Sequence, residues 1–245
     1  MPRIFRNTDV PLAYEFMPGA GPVVVFCPGY ASDMGGTKAL ALEEACRARG
    51  QAMLRFDYSG HGQSGGDFLD GTIGEWAADA AFIMNTLVPE QKILLVGSSM
   101  GGWIALLLGR TLGARLAGVV LIAPAADFTE ALVRPSLTPA IWAELREKGV
   151  VYQPSEYGAP LPMTLKFIEE GAANLVLGAK IPISCKVHIL HGMLDDAVPW
   201  RHSLTIAEAL ESTDVRVVFL KDGDHRLSRP EDLLLLVETL DGFSV

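Results

Sequence analysis

Two adjacent serines end an apolar run in the segment "LLVGSSMGGW" at residues 94–103. Ser99 stands midway between Gly97 and Gly101, so the segment fits the spacing G-x-S-x-G. In that pattern the serine lies on a strained turn between a strand and a helix, where its hydroxyl can attack an acyl carbon. Centring the pattern on Ser98 would require glycines where a valine and a methionine stand. The spacing predicts that Ser99 is a nucleophile, and the alternative is an ordinary glycine turn that carries serines.

A serine hydroxyl attacks efficiently only when a base takes its proton and a carboxylate orients that base. The candidate bases are His61, His188, His191, His202 and His225. His61 and His188 precede the expected position of the acid, and His191 in "HG" at a strand end is more typical of a turn-stabilising residue. His202 lies one turn into a helical pattern. We predict that the base is His225, in the segment "LKDGDHRLS" after the last predicted strand.

The acid is expected in the loop after the strand pattern "KVHILHG". This loop, "MLDDAVP", offers the adjacent carboxylates of Asp195 and Asp196, which point in different directions. The spacing HGxxDxxVP favours Asp195 as the residue that orients His225, and Asp196 is then a loop residue. Asp127, after the strand pattern "LIAP", is a third candidate that more simply begins an inserted segment.

The oxyanion of an acyl-transfer intermediate needs backbone N–H donors that are already in place. The residue after the nucleophile, Met100, is expected to supply one of them. The turn "FCPGYASDMGG" is expected to supply the other from Tyr30, because Gly29 lets the backbone bend there. The alternative interpretation of this segment is an ordinary Pro-Gly turn.

Short apolar runs alternate with helical patterns along most of the chain. The runs are too uniformly apolar for a sheet with one wet face, which indicates strands buried on both sides. Strand and helix in alternation predict an α/β fold with a mostly parallel, doubly wound central sheet flanked by helices. The predicted strands cover residues 23–28, 52–58, 92–98, 116–124, 186–192 and 215–222, and the predicted helices cover 37–50, 73–87, 101–110, 200–212 and 229–243.

A long segment at residues 127–182 interrupts this alternation and has no obvious strand. Its helix-like pieces "PAIWAELREKG" and "MTLKFIEEGAANLVL" are separated by proline-rich turns. Such a segment in a compact domain is usually a lid or a packed subdomain. We therefore expect one domain over residues 1–245, with a helical lid insert at about 127–182. Its aromatic residues Trp142, Tyr152 and Phe167 are expected either to shape an acyl pocket or to pack as helical core.

Composition excludes several classes of partner. The chain has 20 Lys and Arg against 29 Asp and Glu, and its net charge of -9 argues against nucleic acid, which needs clustered basic residues. No apolar run reaches the length of about 18 residues expected of a membrane span, so we expect no stable membrane insertion. The segment "GHGQSG" fits GxGxxG, but no helical pattern follows it as a dinucleotide site requires.

Three widely spaced cysteines and the lack of a metal-ligand pattern predict free thiols, no metal and no cofactor. The N-terminal segment has no apolar core of signal-peptide length, which favours a cytoplasmic protein. The sequence indicates no particular oligomeric state.

Five segments carry a resemblance to a known family: "PGYASDMGGTKALALEE", "RFDYSGHGQSGG", "GSSMGGW", "HGMLDDAVPW" and "STDVRVVFLKDGDHRL". Together they resemble the α/β-hydrolase subfamily that contains the mitochondrial palmitoyl-protein thioesterase, also called mycophenolic acid acyl-glucuronide esterase. The similarity runs from about residue 22 to residue 240. It implies an α/β-hydrolase fold and a serine thioesterase or carboxylesterase with the triad Ser99, Asp195 and His225. The chain has no room for a transit peptide, so we expect a bacterial, cytoplasmic relative.

These features together predict a serine hydrolase that cleaves acyl esters or thioesters of small molecules or acylated proteins through an acyl-enzyme. A peptidase, a C–C hydrolase or a cofactor-free haloperoxidase could use the same three residues. A haloalkane dehalogenase would normally need an aspartate in place of Ser99. A catalytically silent binding protein on the same fold is the alternative from a different class.

Overall fold

The structure is a computed structural model that describes residues 2–6, 10–153 and 160–243. Its strands are β1 (Arg3–Phe5), β2 (Pro11–Met17), β3 (Ala20–Cys27), β4 (Gln51–Phe56), β5 (Ile93–Ser98), β6 (Leu116–Ile122), β7 (Val150–Gln153), β8 (Leu161–Thr164), β9 (Val187–Gly192) and β10 (Val215–Leu220). Its helices are α1 (Thr37–Arg49), α2 (Ile73–Leu87), α3 (Met100–Leu112), α4 (Arg134–Ser136), α5 (Pro139–Lys148), α6 (Leu165–Gly171), α7 (His202–Ala209) and α8 (Pro230–Asp241). None of the helices within these described ranges is long and apolar enough to cross a membrane.

The central sheet has eight strands in the order β1-β2-β4-β3-β5-β6-β9-β10. Every pair from β4 to β10 along this order is parallel, whereas β2 is antiparallel to both β1 and β4. The sheet confirms the predicted mostly parallel architecture. Because parallel strands end at the same edge, the loops after β3, β5, β9 and β10 all open on one side of the sheet.

The inner strands of the sheet are buried on both faces, whereas the edge strand β10, predicted to be buried on both sides, has only half-buried and exposed residues. Val23 and Val25 of β3 lie in one apolar cluster, and their neighbours Val24 and Phe26 lie in a second, because successive side chains of a strand point to opposite faces. The first cluster includes residues of α2 and α3, and the second includes residues of α1 and α8. All residues of β5 and β9 are buried, including the two histidines of β9, His188 and His191.

The predicted strands and helices outside the insert are all present, with bounds that shift by a few residues. The chain turns left-handed at Gly50 just after α1, as a glycine C-cap predicts. The sequence did not predict β1 and β2. These two strands form the antiparallel end of the sheet, and β2 is mostly half-buried, so it lacks the continuous apolar run that marks the parallel strands.

The insert is not purely helical, which corrects the expected helical lid. Its strands β7 and β8 pair antiparallel in a separate two-stranded sheet, and α6 covers only seven residues of the longer predicted helix. Pro162 of the predicted proline-rich turn lies in β8, because both strands of a two-stranded sheet are edges, where proline is tolerated. The helix α6 ends at Gly171, where a Cβ would lie 2.4 Å from Thr129 Oγ1. Part of the predicted proline-rich turn lies outside the described residues.

Candidate active site

Ser99 occupies the turn between β5 and α3 in a backbone conformation that is rare for a residue with a side chain. Its φ is 54° and its ψ is −120°. This combination is strained, because it lies outside the backbone regions that residues with a Cβ ordinarily occupy. The turn is held because the Ser99 N–H donates to the Ile122 carbonyl at 2.9 Å and its carbonyl accepts from Gly102 at 2.8 Å and Ala125 at 3.0 Å. Ser99 is half-buried, whereas the side chain of Ser98 is buried.

The two glycines of the G-x-S-x-G segment are required for steric reasons. A Cβ at Gly97 would lie 2.3 Å from the Gly101 carbonyl oxygen. A Cβ at Gly101 would lie 2.0 Å from the carbonyl oxygen of Cys27 at the end of β3. Both distances are far shorter than a carbon-oxygen contact allows, so Gly97 is required for the turn to close tightly and Gly101 is required for it to approach β3.

Ser99, His225 and Asp195 form a continuous chain of hydrogen bonds. His225 Nε2 lies 3.0 Å from Ser99 Oγ, and His225 Nδ1 lies 2.7 Å from Asp195 Oδ2. The Asp195 side chain is fully buried, and the His225 side chain is 19% exposed. The structure thus brings together the three residues that the sequence nominated as nucleophile, acid and base.

The loops that carry Asp195 and His225 are packed against each other. Met193 N–H donates to the Leu220 carbonyl at 2.8 Å, and Leu194 N–H donates to the Gly223 carbonyl at 2.9 Å. A Cβ at Gly192 would lie 2.3 Å from the same Gly223 oxygen, so glycine is required at this crossing. The contact between the ends of β9 and β10 therefore fixes the position of the carboxylate relative to the imidazole.

The carboxylate of Asp195 receives four hydrogen bonds. Its Oδ1 accepts from the backbone N–H groups of Ala197 at 2.9 Å and Val198 at 2.7 Å, and its Oδ2 accepts from His191 at 3.0 Å and His225 at 2.7 Å. Burial alone would raise the pKa of Asp195, but the hydrogen bonds from His191 and His225 hold that pKa well below its ordinary value. Asp195 is therefore ionised at neutral pH.

The other two candidate acids have different surroundings. Asp196 is exposed. Asp127 is buried with φ 55°, and its carboxylate accepts from the N–H groups of Val176 at 2.9 and 3.1 Å and of Leu177 at 2.8 Å. Burial raises the pKa of Asp127, and these hydrogen bonds oppose that rise. Asp127 therefore ties the beginning of the insert to its end, and within the described ranges no hydrogen bond joins it to His225.

Three of the remaining histidines lie in packed surroundings. His202 Nε2 lies 2.7 Å from the Ala126 carbonyl and donates to it. His61 and His188 are buried, and burial lowers the pKa of both. His61 packs among aromatic rings, with Trp76 at 4.8 Å between centroids. None of the three contacts Ser99 through a hydrogen bond among the described residues.

The sequence interpretation of His191 as a turn-stabilising residue missed its main contact. The ring is completely buried, and its Nε2 lies 3.0 Å from Asp195 Oδ2. The spacing HGxxD, in which His191 precedes the acid by four residues, was the available signal. The same spacing selects Asp195 as the acid and leaves the partner of His191 open.

The two expected oxyanion donors lie beside the nucleophile turn. Met100 is the first residue of α3, where backbone N–H groups have no partner within the helix and the helix end carries partial positive charge. A Cβ at Gly29 would lie 3.4 Å from Ser99 Cβ, so the turn that carries Tyr30 passes next to the nucleophile. The Tyr30 hydroxyl donates to the Pro162 carbonyl at 2.5 Å, which connects this turn to β8. Burial raises the pKa of Tyr30, so the phenol stays a donor.

The aromatic residues of the insert are divided between core and surface. Phe167 is buried, with its ring centroid 5.3 Å from those of Tyr30 and of Trp76. Trp142 is half-buried beneath two arginine side chains, and Tyr152 is 59% exposed. Of the three, Phe167 therefore has the core position, and it supports the ring of Tyr30.

No group of three or more His, Cys, Asp and Glu in the described part of the chain could hold a metal ion.

Comparison with known proteins identifies the family. Residues 20–153 match the Hydrolase_4 family model, described as serine aminopeptidase, S33. The human palmitoyl-protein thioesterase ABHD10, mitochondrial, is 40% identical over 239 residues, which cover 96% of this chain and 78% of the human protein. A solved structure of mouse α/β-hydrolase domain-containing protein 10 is 37% identical with a TM-score of 0.90, over 98% of this chain and 96% of the mouse chain.

A crystal structure of a protein from Agrobacterium vitis S4 has comparable similarity to this chain in sequence and fold. It is 42% identical with a TM-score of 0.94, and the match covers 100% of this chain and 97% of the other. Est1E from Butyrivibrio proteoclasticus, at 19% identity and a TM-score of 0.78, shares the fold. The parallel sheet, the strained serine turn and these likenesses agree, and the chain belongs to the α/β-hydrolase family.

Proposed function

We propose that this protein is a serine hydrolase that cleaves acyl esters or thioesters through an acyl-enzyme on Ser99. The observation that carries the proposal is the hydrogen-bonded chain from Ser99 through His225 to the buried, ionised Asp195. The strained backbone at Ser99 supports the proposal, because such strain persists only where the surrounding structure enforces it, and strained residues cluster at active sites.

The proposed reaction begins when Ser99 Oγ attacks the carbonyl carbon and passes its proton to His225 Nε2. Asp195 accepts from His225 Nδ1–H, so it keeps the imidazole in the tautomer that can accept this proton and stabilises the imidazolium that forms. The N–H groups of Met100 and Tyr30 donate to the oxyanion of the tetrahedral intermediate.

Collapse of the intermediate breaks the bond from the acyl carbon to the leaving oxygen or sulfur. His225 returns the proton to the leaving group, which departs as an alcohol or a thiol, and the acyl group remains on Ser99. A water molecule then attacks the acyl-enzyme while His225 takes its proton. The second tetrahedral intermediate releases the carboxylic acid and returns the proton to Ser99.

The substrate class rests on the relatives. The human protein at 40% identity is named a palmitoyl-protein thioesterase, and the match covers 96% of this chain. We therefore propose an S-acylated protein or a small acyl thioester or ester as substrate. The net charge of -9 supports a partner other than nucleic acid.

The test compares Ser99→Ala with Ser98→Ala. The panel holds a chromogenic short-chain ester, an S-palmitoyl peptide and an acyl glucuronide, and each protein is also treated with a fluorophosphonate probe. Ser99→Ala is expected to lose turnover and labelling while circular dichroism shows an intact fold. Ser98→Ala is expected to keep most turnover, since Ser98 is buried. Full activity in Ser99→Ala would refute the proposal.

A peptidase is the second candidate, because the matching family model is described as a serine aminopeptidase. An aminoacyl anilide in the same panel separates the two, since an ester hydrolase of this kind would turn it over far more slowly than the esters. A catalytically silent binding protein would leave the fluorophosphonate probe unreacted.

Cytoplasmic location stays a prediction. The curated relatives carry the word mitochondrial in their names. Cell fractionation with an antibody to this chain would test the location directly.

A further inference from the structure

The buried ring of His191 has a hydrogen-bond partner at each nitrogen. Its Nε2 lies 3.0 Å from Asp195 Oδ2 and 3.0 Å from the Val198 carbonyl oxygen. Its Nδ1 lies 2.6 Å from the hydroxyl oxygen of Ser203 in α7. A carboxylate and a carbonyl can only accept, so Nε2 carries the proton. In the neutral ring Nδ1 then accepts from the Ser203 hydroxyl.

We propose that His191, set by Ser203, is a positioning residue for the catalytic carboxylate Asp195. This inference rests on the proposed function, because it assigns a role relative to the triad Ser99, Asp195 and His225. The resulting chain of donors runs from Ser203 through His191 to Asp195 on one side, and from Ser99 through His225 to Asp195 on the other.

The geometry at Asp195 explains what this second imidazole does. Both imidazoles donate to the same oxygen, Oδ2, so His191 occupies one acceptor direction and leaves another facing His225. The other oxygen, Oδ1, is held by two backbone N–H groups of the same loop. With four donors at fixed positions the carboxylate has one orientation. Without His191, Oδ2 would keep only its bond to the imidazole that must move a proton during the reaction.

The supporting groups belong to rigid parts of the fold. His191 lies in β9, whose residues are all buried, and Ser203 is fully buried in α7. His191 therefore links the acid loop to a strand of the central sheet and to a helix that packs on it. A histidine that merely fills space would need its volume but not a donor at the Nε2 position, and this difference makes the role testable.

The experiment uses two matched amide variants of the full chain. In His191→Gln the amide nitrogen falls near the position of Nε2 and can donate to Asp195. In His191→Asn the same amide is one methylene shorter, so it falls near Nδ1 and cannot reach the carboxylate. Both variants place a smaller polar group in the same buried site, and asparagine is the smaller of the two by one methylene, so melting temperatures are measured beside kcat.

Steady-state kinetics with the chromogenic ester are expected to separate the variants in kcat. Loss of a hydrogen bond to a charged group predicts a kcat for His191→Asn about 10- to 100-fold below that of the parent, with KM within about 3-fold. His191→Gln is expected to recover at least about 10-fold of that loss. The melting temperature of His191→Asn is expected to lie below that of His191→Gln, because asparagine is one methylene smaller and leaves the carboxylate without that donor.

Equal kcat in the two amide variants, with intact fold, would overturn the positioning role. Should neither variant fold, Ser203→Ala carries the test, because it removes the donor that orients the ring: a fall of about 3- to 10-fold in kcat supports the proposal, and an unchanged kcat overturns it. A parent protein without Ser99-dependent turnover would overturn the proposed function and this inference with it. Turnover in the parent with no difference among the variants overturns only the inference.

Discussion

Replacement of Asp195 by asparagine tests the acid most directly. Each oxygen of the carboxylate accepts two hydrogen bonds, from His191 and His225 at Oδ2 and from Ala197 and Val198 at Oδ1. An amide has one oxygen and one NH₂ group. Whichever way the amide turns, its NH₂ group therefore faces two donors, and those hydrogen bonds are lost unless the donor gives up its proton.

The backbone donors favour the amide oxygen on their side, which leaves NH₂ toward the imidazoles. His225 then has to present an unprotonated Nδ1 and carry its proton on Nε2, where it can no longer accept from Ser99. In a serine protease triad the corresponding change lowers kcat about 10⁴-fold, and we expect a similar loss here. At about 1.36 kcal/mol for each factor of ten, that loss is about 5.4 kcal/mol of activation free energy.

The assay is hydrolysis of a short-chain chromogenic ester, for which changes in the insert matter little. Asp196→Asn is the matched control, because it makes the same chemical change at the exposed neighbour. A screened surface carboxylate contributes little, so the control is expected within about 3-fold of the parent. The two variants should differ by at least about 100-fold.

A different outcome would identify the error in the reasoning. If Asp196→Asn were the inactive variant, the choice between adjacent aspartates would be wrong. If both variants kept their fold and lost activity equally, Asp127 would be tested next by the same substitution. Circular dichroism and thermal melts of each variant distinguish lost chemistry from lost fold.

Three further predictions concern stability and the oxyanion turn. Burial lowers the pKa of His61 to about 4. The unfolded histidine binds a proton below about pH 6.5 while the folded one does not, so this residue costs about 2 kcal/mol of stability between pH 7 and pH 5. His61→Phe should remove that part of the pH dependence in urea unfolding at the two pH values, and an unchanged difference would contradict the shift. Gly101→Ala places a Cβ 2.0 Å from a carbonyl of β3 and should lower the unfolding free energy by more than about 3 kcal/mol or prevent folding. Gly178→Ala, with no atom within 4 Å of its Cβ, should change it by less than about 0.5 kcal/mol, and equal effects would count against the steric account. Tyr30→Phe loses the hydrogen bond to Pro162 but keeps the backbone N–H, so stability should fall by about 1 kcal/mol while kcat stays within about 3-fold. A fall of kcat beyond about 30-fold would assign the hydroxyl a role in the chemistry.

Local patterns were sufficient for the six mutually parallel strands of the central sheet. Strands buried on both faces need mostly apolar runs, and β5 shows this dependence in residues that are all buried. The same rule could not find β2, which is mostly half-buried at the antiparallel end of the sheet. It also could not find β7 and β8, since their pairing depends on two segments that meet only when the insert folds.

The sequence by itself determined which turn carries the candidate nucleophile. The requirement for glycine at Gly97 and Gly101 is steric and local to the crossing of β5, α3 and β3, so it leaves a fixed spacing around Ser99. The order of strand patterns likewise placed Asp195 and His225 in loops after late strands, at the edge where parallel strands end.

Only the tertiary structure decided how these groups meet. Ser99 and His225 are 126 residues apart, and His225 and Asp195 are 30 apart, so their hydrogen bonds exist only after β5, β6, β9 and β10 assemble in order. Adjacent aspartates are chemically identical in the sequence, and the backbone of the loop turned Asp195 inward and left Asp196 exposed. The spacing HGxxD placed His191 near the acid in the chain, but only the structure showed its hydrogen bonds to Asp195 and Ser203, because a hydrogen bond depends on distance and direction in space, and residue order specifies neither.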